Sequence, residues 1–299
     1  MFSGLSAFPL TPLCEGKVDE KAFVRLMQRL VQANVDSIGV LGSTGNYAYL
    51  SRAQRYRITQ LSVEHAESIP IFVSIGDPCL AHVLDLLDDA QKLGVQAVML
   101  APVSYQPLFP DEVYHLFEQV TRHLSVPLVV YDNPRTTSFT FTPELLQSIA
   151  QLPQVASIKL SALGLDVMAA QKRVKSLRQG MPTHLSLGVS GDAFAVTGLQ
   201  AGCEVWYSVL AGWFPGLAQA LMQAVRTQDT QQLAVLNNKL QLLWDYFARF
   251  GGGLRCIATL AVLQGQVSST VLPAPLRLLG EPQQTVLRQW LESMQDWVD

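Results

Sequence analysis

The chain of 299 residues is 49% hydrophobic and only 15% charged, with a formal net charge of -3. That balance suits a compact, well-buried protein and excludes a disordered one. With no basic field and no Lys/Arg cluster there is nothing to attract nucleic acid, and no apolar run reaches membrane-spanning length.

The amino terminus, Met1 to Pro9, carries no positively charged leader, so a cytoplasmic protein is expected. Short β-branched runs then recur at Leu5–Leu10, Ser37–Leu41, Ile71–Ile75, Ala97–Ala101, Leu128–Tyr131, Ala156–Leu160, His184–Val189 and Glu204–Val209. Between them lie stretches of helical periodicity such as Lys21–Val31 and Leu80–Leu93, each stopping near a Gly or Asn. Asp19, Ser51 and Thr142-Pro143 supply helix starts, where side-chain oxygens or a first-turn proline suit the free amide groups. Eight β-α repeats predict an α/β fold, a (β/α)8 TIM barrel over residues 1–215. After Val209 the pattern is helical only, over 216–227, 230–250, 254–264 and about 282–297, so residues 216–299 read as a helical extension packed on the barrel.

Within the sixth strand, Val155-Ala-Ser-Ile-Lys-Leu-Ser-Ala162, Lys159 sits where burial is expected. Desolvation disfavours an ammonium, lowers its pKa and leaves a free amine able to attack carbonyl carbon and form a Schiff base. The competing reading is a strand-end lysine whose stem packs while its head reaches water. Barrel enzymes react at the carboxyl ends of strands, which here also offer Gly42-Ser43-Thr44-Gly45, Tyr131 before Asp132-Asn133-Pro134, and Gly188-Val189-Ser190-Gly191-Asp192. The first is a turn suited to a carboxylate, or an ordinary capped β-α turn. Tyr131 is a candidate proton carrier, or a plug at the barrel top.

The histidines at 65, 82, 115, 123 and 184 show no metal-site pairing, the carboxylates of Asp85, Asp88 and Asp89 fit a solvated helix face, and Cys14, Cys79, Cys203 and Cys256 form no C-x-x-C pair. Neither metal nor cofactor is expected.

Ala7-Phe-Pro-Leu-Thr-Pro12, Gly42-Ser-Thr-Gly45, Tyr131-Asp-Asn-Pro134, Ser157-Ile-Lys159 and the helical tail together resemble the dihydrodipicolinate synthase / N-acetylneuraminate lyase family of class I, pyruvate-type aldolases along almost the whole chain. The resemblance implies that Lys159 forms the imine, Tyr131 acts as general acid/base, and Ser43 with Thr44, in the Gly42 turn, holds a carboxylate. It also implies that the backbone at Val189 and Ser190 completes the pocket. Three departures stand out. Ser104, followed by Tyr105, replaces the synthases' relay tyrosine; Thr136, preceded by Arg135, replaces their arginine; and Asn46 replaces a common glutamate. Trp206 could narrow the pocket or simply fill the barrel.

The leading reading is therefore a lyase or synthase acting on pyruvate or a related 2-oxo acid, by aldol cleavage or condensation or by dehydration of a 2-keto-3-deoxy acid. The dihydrodipicolinate-forming synthase proper is the first alternative. Further alternatives are a barrel enzyme for a phosphorylated substrate or pyridoxal phosphate, held at Gly188–Gly191, and a non-catalytic 2-oxo-acid binder. The expected partners are a 2-oxo acid, an aldehyde as second substrate, and further copies of the chain in a homodimer or homotetramer.

Overall fold

The structure, a computed structural model, describes residues 2–161, 163–295 and 297. Ala162, the last residue of the strand expected around Lys159, lies outside them. Eight strands form the barrel: β1 (Gly4–Ala7), β2 (Ser37–Val40), β3 (Ile71–Ser74), β4 (Ala97–Leu100), β5 (Leu128–Asp132), β6 (Val155–Ser161), β7 (Ser186–Ser190) and β8 (Val205–Ser208). Their hydrogen-bonded order closes as β1-β8-β7-β6-β5-β4-β3-β2, the expected (β/α)8 arrangement. The antiparallel hairpin of Leu13–Cys14 with Lys17–Val18 was not expected. Strands of two residues have no alternation to read, and the turn shows itself only in the positive φ of Glu15 and Gly16.

The helices are α1 (Glu20–Gln32), α2 (Arg52–Glu64), α3 (Leu80–Lys92), α4 (Pro110–Thr121), α5 (Pro143–Ala150), α6 (Val167–Arg178), α7 (Ala195–Gln200), α8 (Pro215–Arg226), α9 (Thr230–Arg249), α10 (Gly253–Leu263) and α11 (Glu281–Ser293). Asp19, Ser51 and Thr142 each accept an amide hydrogen bond at a helix start, as their side chains promised. The last four helices form the carboxy-terminal helical part.

Two compact units share the chain. One takes Leu5–Ile69 and the chain from Ser208 onward, with β1, β2, α1, α2 and α8–α11. Here α1 buries Ala22, Phe23, Leu26, Met27 and Leu30, one apolar stripe at helical spacing. Gly212 is required in this unit, because a Cβ there would lie 2.1 Å from the Phe8 carbonyl oxygen.

The other unit takes residues up to Gly4 with Pro70–Tyr207, including β3–β8. Its strands alternate between two faces. Val189 of β7 faces outward against α7, where a Cβ on Gly198 would meet the Val189 Cβ at 2.4 Å. Tyr207 and Phe72 face inward, their rings edge to face at 6.1 Å.

A one-residue irregularity sets the phase of β6. Leu128 pairs with Val155, but the next residue, Val129, pairs with Ser157, so Ala156 is an inserted residue. Such a bulge re-aims the side chains beyond it. Beyond it Tyr131 pairs with Lys159, and Lys159 with Gly188, which puts Ser157, Lys159, Tyr131 and Gly188 on the inward face with Tyr207.

Candidate active site

Lys159 is 3% exposed although it lies near the carboxyl end of a strand. Its Nζ stands 4.1 Å from the ring centroid of Tyr131 and 5.6 Å from that of Tyr207. Burial pushes its pKa down from 10.5 to about 7, with the charge of Asp192 acting in the opposite sense. The lysine therefore does not snorkel to water; near neutral pH about half of it is an uncharged nucleophile.

A rate prediction follows from this. Only the unprotonated amine attacks a carbonyl, so adduct formation by the folded protein should rise with pH through about 7 and level off above it. An exposed lysine would keep gaining reactivity toward its ordinary pKa of about 10.4. Rates of borohydride trapping with a 2-oxo acid across pH 5.5 to 9.5, as an order-of-magnitude window around these pKa values, distinguish the two; a continuous rise to the top of the range contradicts the buried amine.

Tyr207 and Ser157 belong to this site and were not singled out in the sequence. The Ser157 hydroxyl donates to the Ser186 carbonyl at 3.1 Å, so its oxygen is left to accept from the Tyr207 phenol, 2.6 Å away. Burial raises the Tyr207 pKa, and the phenol stays a committed donor. Its ring crosses β7 where Gly188 has no side chain: a Cβ on Gly188 would sit 2.3 Å from Tyr207 Cε2. The space beside Gly188, offered in the sequence to a phosphate, holds the Tyr207 ring and Val205. Ser157 had a signal, since it lies two residues before Lys159 and so on the same strand face. Tyr207 had none, because in the uniformly apolar run Val205-Trp206-Tyr207 the inward residue is not legible.

Trp206 occupies the opposite face of β8 from Tyr207. It is fully buried, and its indole N–H donates to Asp192 Oδ1 at 2.9 Å. Trp206 thus holds the acid whose charge acts on Lys159. On β7 the Val189 side chain faces outward, whereas Ser190 alternates inward and pairs with Ser161 and Tyr207.

Beyond β5 the chain makes a single helical turn, Pro134–Thr137. Asn133 Nδ2 donates to Thr136 Oγ1 at 2.6 Å, while Arg135 and Thr136 are exposed. Asp132, alternating away from Tyr131, has its pKa raised by burial to about 6, with Arg173, 3.5 Å away, opposing that shift. Beyond β4, Tyr105 is 91% exposed.

In the other unit, the turn after β2 holds Gly42, Ser43, Thr44 and Gly45. Leu41 and Asn46 are left-handed, with φ of 55° and 60°, and a Cβ on Gly45 would come within 2.9 Å of the Leu41 backbone. The second glycine is therefore needed to fold the turn back on itself. Thr44 is buried and Ser43 half-buried. Asn46 is buried, and neither polar atom of its amide has a hydrogen-bond partner.

The sequence model of the dihydrodipicolinate synthetase family matches residues 1–294. A 4-hydroxy-tetrahydrodipicolinate synthase of Novosphingobium aromaticivorans is 28% identical over 254 residues, covering 84% of this chain and 83% of that protein. One from Thermodesulfovibrio yellowstonii is 26% identical over 245 residues, covering 81% and 82%. Among solved structures, a dihydrodipicolinate synthase from Agrobacterium tumefaciens superposes with a TM-score of 0.93 at 36% identity, covering 98% of both chains.

Proposed function

We propose a reaction for a chain that belongs to the dihydrodipicolinate synthetase family and is a class I aldolase-type lyase: Lys159 condenses with pyruvate or a related 2-oxo acid, and the resulting iminium carries the chemistry. The observation that carries this reading is the buried Lys159 amine, its pKa about 7, facing the Tyr131 ring at 4.1 Å.

The neutral Nζ adds to the C2 carbonyl to give a carbinolamine. Loss of water leaves the iminium, which accepts the electron pair released when the C3–C4 bond breaks or a proton leaves C3; in dehydration the resulting enamine then pushes that pair back as the protonated C4 hydroxyl departs as water. Tyr131, whose ring faces the Lys159 amine at 4.1 Å, carries the protons to the departing hydroxyl and to and from the substrate oxygen. The Gly42–Gly45 turn seats the carboxylate through Ser43 and Thr44, without arginine. Val189 and Ser190 line the substrate through their backbone, in keeping with the inward phase of Ser190.

Aldol cleavage or dehydration of a 2-keto-3-deoxy acid fits better than the condensation suggested by the names of the relatives. Arg135 and Thr136 are exposed, Thr136 bonds to Asn133, and Tyr105 stands almost wholly in solvent, so the groups that the resemblance assigns to a carboxylated aldehyde are not built into the buried face that carries Lys159. A cytoplasmic location is proposed on the composition of the chain and its scattered cysteines, and assembly as a homodimer or homotetramer on the resemblance alone. Among the described residues no helix is long and apolar enough to cross a membrane.

A substrate panel tests the assignment. Purified protein is given C5 and C6 2-keto-3-deoxy acids, with release of pyruvate and loss of water both followed, and in parallel pyruvate with carboxylated aldehydes. Turnover of a keto-deoxy acid should exceed condensation; faster condensation with a carboxylated aldehyde overturns the preference.

A further inference from the structure

We propose that Tyr207 limits the size of the 2-oxo acid that reaches Lys159, admitting the unbranched head of pyruvate and excluding acids branched at C3. This deepens the imine reading and rests on it.

Tyr207 is a fixed wall. Its phenol is anchored on Ser157, which is itself anchored on the Ser186 carbonyl, and its ring edge meets Phe72 at 6.1 Å. The ring fills the side-chain slot of Gly188, the residue that pairs with Lys159 across β6 and β7. With the phenol held by Ser157, the ring packed edge-on against Phe72 and its side lying in the Gly188 slot, swinging it aside would break the bond between a buried phenol and a buried serine.

The distances set the limit. Nζ lies 5.6 Å from the Tyr207 centroid and 4.1 Å from that of Tyr131, so the amine faces two rings. From ordinary bond lengths, C3 of an imine made on Nζ lies roughly 2.4 Å from the nitrogen. A further carbon needs about 3.5 to 4.0 Å to clear a ring atom. Laid end to end, these two lengths slightly exceed the distance to the Tyr207 centroid, so C3 has to turn aside from the ring, and a second carbon on C3 that points back toward the ring has no room. Gly188 and Tyr207 form a complementary pair: the glycine makes the slot and the tyrosine closes it, a division of labour that no polar contact to substrate would reveal.

The test compares borohydride trapping of pyruvate, 2-oxobutanoate and 3-methyl-2-oxobutanoate on the wild type, Tyr207→Phe and Tyr207→Ala, with adducts quantified by intact mass. The wild type should label with pyruvate at least about tenfold faster than with the branched acid, the scale on which a pocket rejects added methyl groups. Tyr207→Phe keeps the ring and should keep that ratio within about twofold, whereas Tyr207→Ala should bring it to within about threefold of unity. If the alanine variant does not fold, Tyr207→Leu, which retains bulk at Cγ but lacks the outer ring atoms, must lower the ratio. A wild-type ratio preserved in whichever of the two folds overturns the inference while leaving the imine intact. A wild type that traps none of the three acids overturns the imine reading and this inference with it.

Discussion

Replacing Lys159 with alanine should abolish adduct formation and lower kcat/KM by on the order of 10⁴-fold or more, because the covalent electron sink is lost and no other lysine among the described residues is buried. The comparison has to separate chemistry from folding, and the sign of the lysine's contribution to stability allows that. Its pKa is about 7 in the folded chain and 10.5 as a free side chain. Below pH 7 both states hold the proton, and the folded chain bears the full cost of a buried charge. Between pH 7 and 10.5 the unfolded chain binds the extra proton, so stability rises with pH across that window. Lys159→Met, which fills similar volume without charge, should therefore raise the melting temperature most at pH 6 and least at pH 9, while remaining inactive at both. An active methionine variant, or one whose stability gain grows with pH, would contradict the account.

Tyr131→Phe should separate proton transfer from imine formation. The ring that faces Lys159 at 4.1 Å remains, so the environment of the amine is largely kept. The missing phenol should lower kcat by about 10² to 10⁴, the usual contribution of a positioned acid/base, with a much smaller change in KM. Borohydride should still trap a pyruvyl adduct, more slowly than in the wild type. A kcat within about threefold of the wild type, far below the usual acid/base contribution, would remove Tyr131 from the mechanism and shift attention to water or to a group beyond β7.

The barrel was legible because every repeat pairs a short β-branched run with an amphipathic stretch, and the helix starts carry their own caps at Asp19, Ser51 and Thr142. Lys159 was legible for a different reason: a charge inside a run such as Val-Ala-Ser-Ile-Lys-Leu violates the pattern around it, and such violations mark functional sites. Side-chain phase was harder to read. Strands buried on both faces read as continuous apolar runs, so Trp206 and Tyr207 could not be assigned to faces from sequence. The bulge at Ala156 could not be seen either, since it depends on how β6 pairs with β5. Only that pairing shows that Tyr131 and Lys159 share a level, and that Ser157 and Tyr207 lie against the same lysine. Asn46 stands between these cases. Its departure from the common glutamate was visible, but the burial of an amide with no partner belongs to the folded turn.

The most direct measurement is to incubate the protein with pyruvate at neutral pH, reduce with borohydride, digest, and map the adduct by tandem mass spectrometry. Of the seven lysines, the peptide bearing Lys159 alone should carry the reduced pyruvyl group. An unmodified Lys159, or label spread over the exposed lysines, would contradict the buried nucleophile on which the whole account rests.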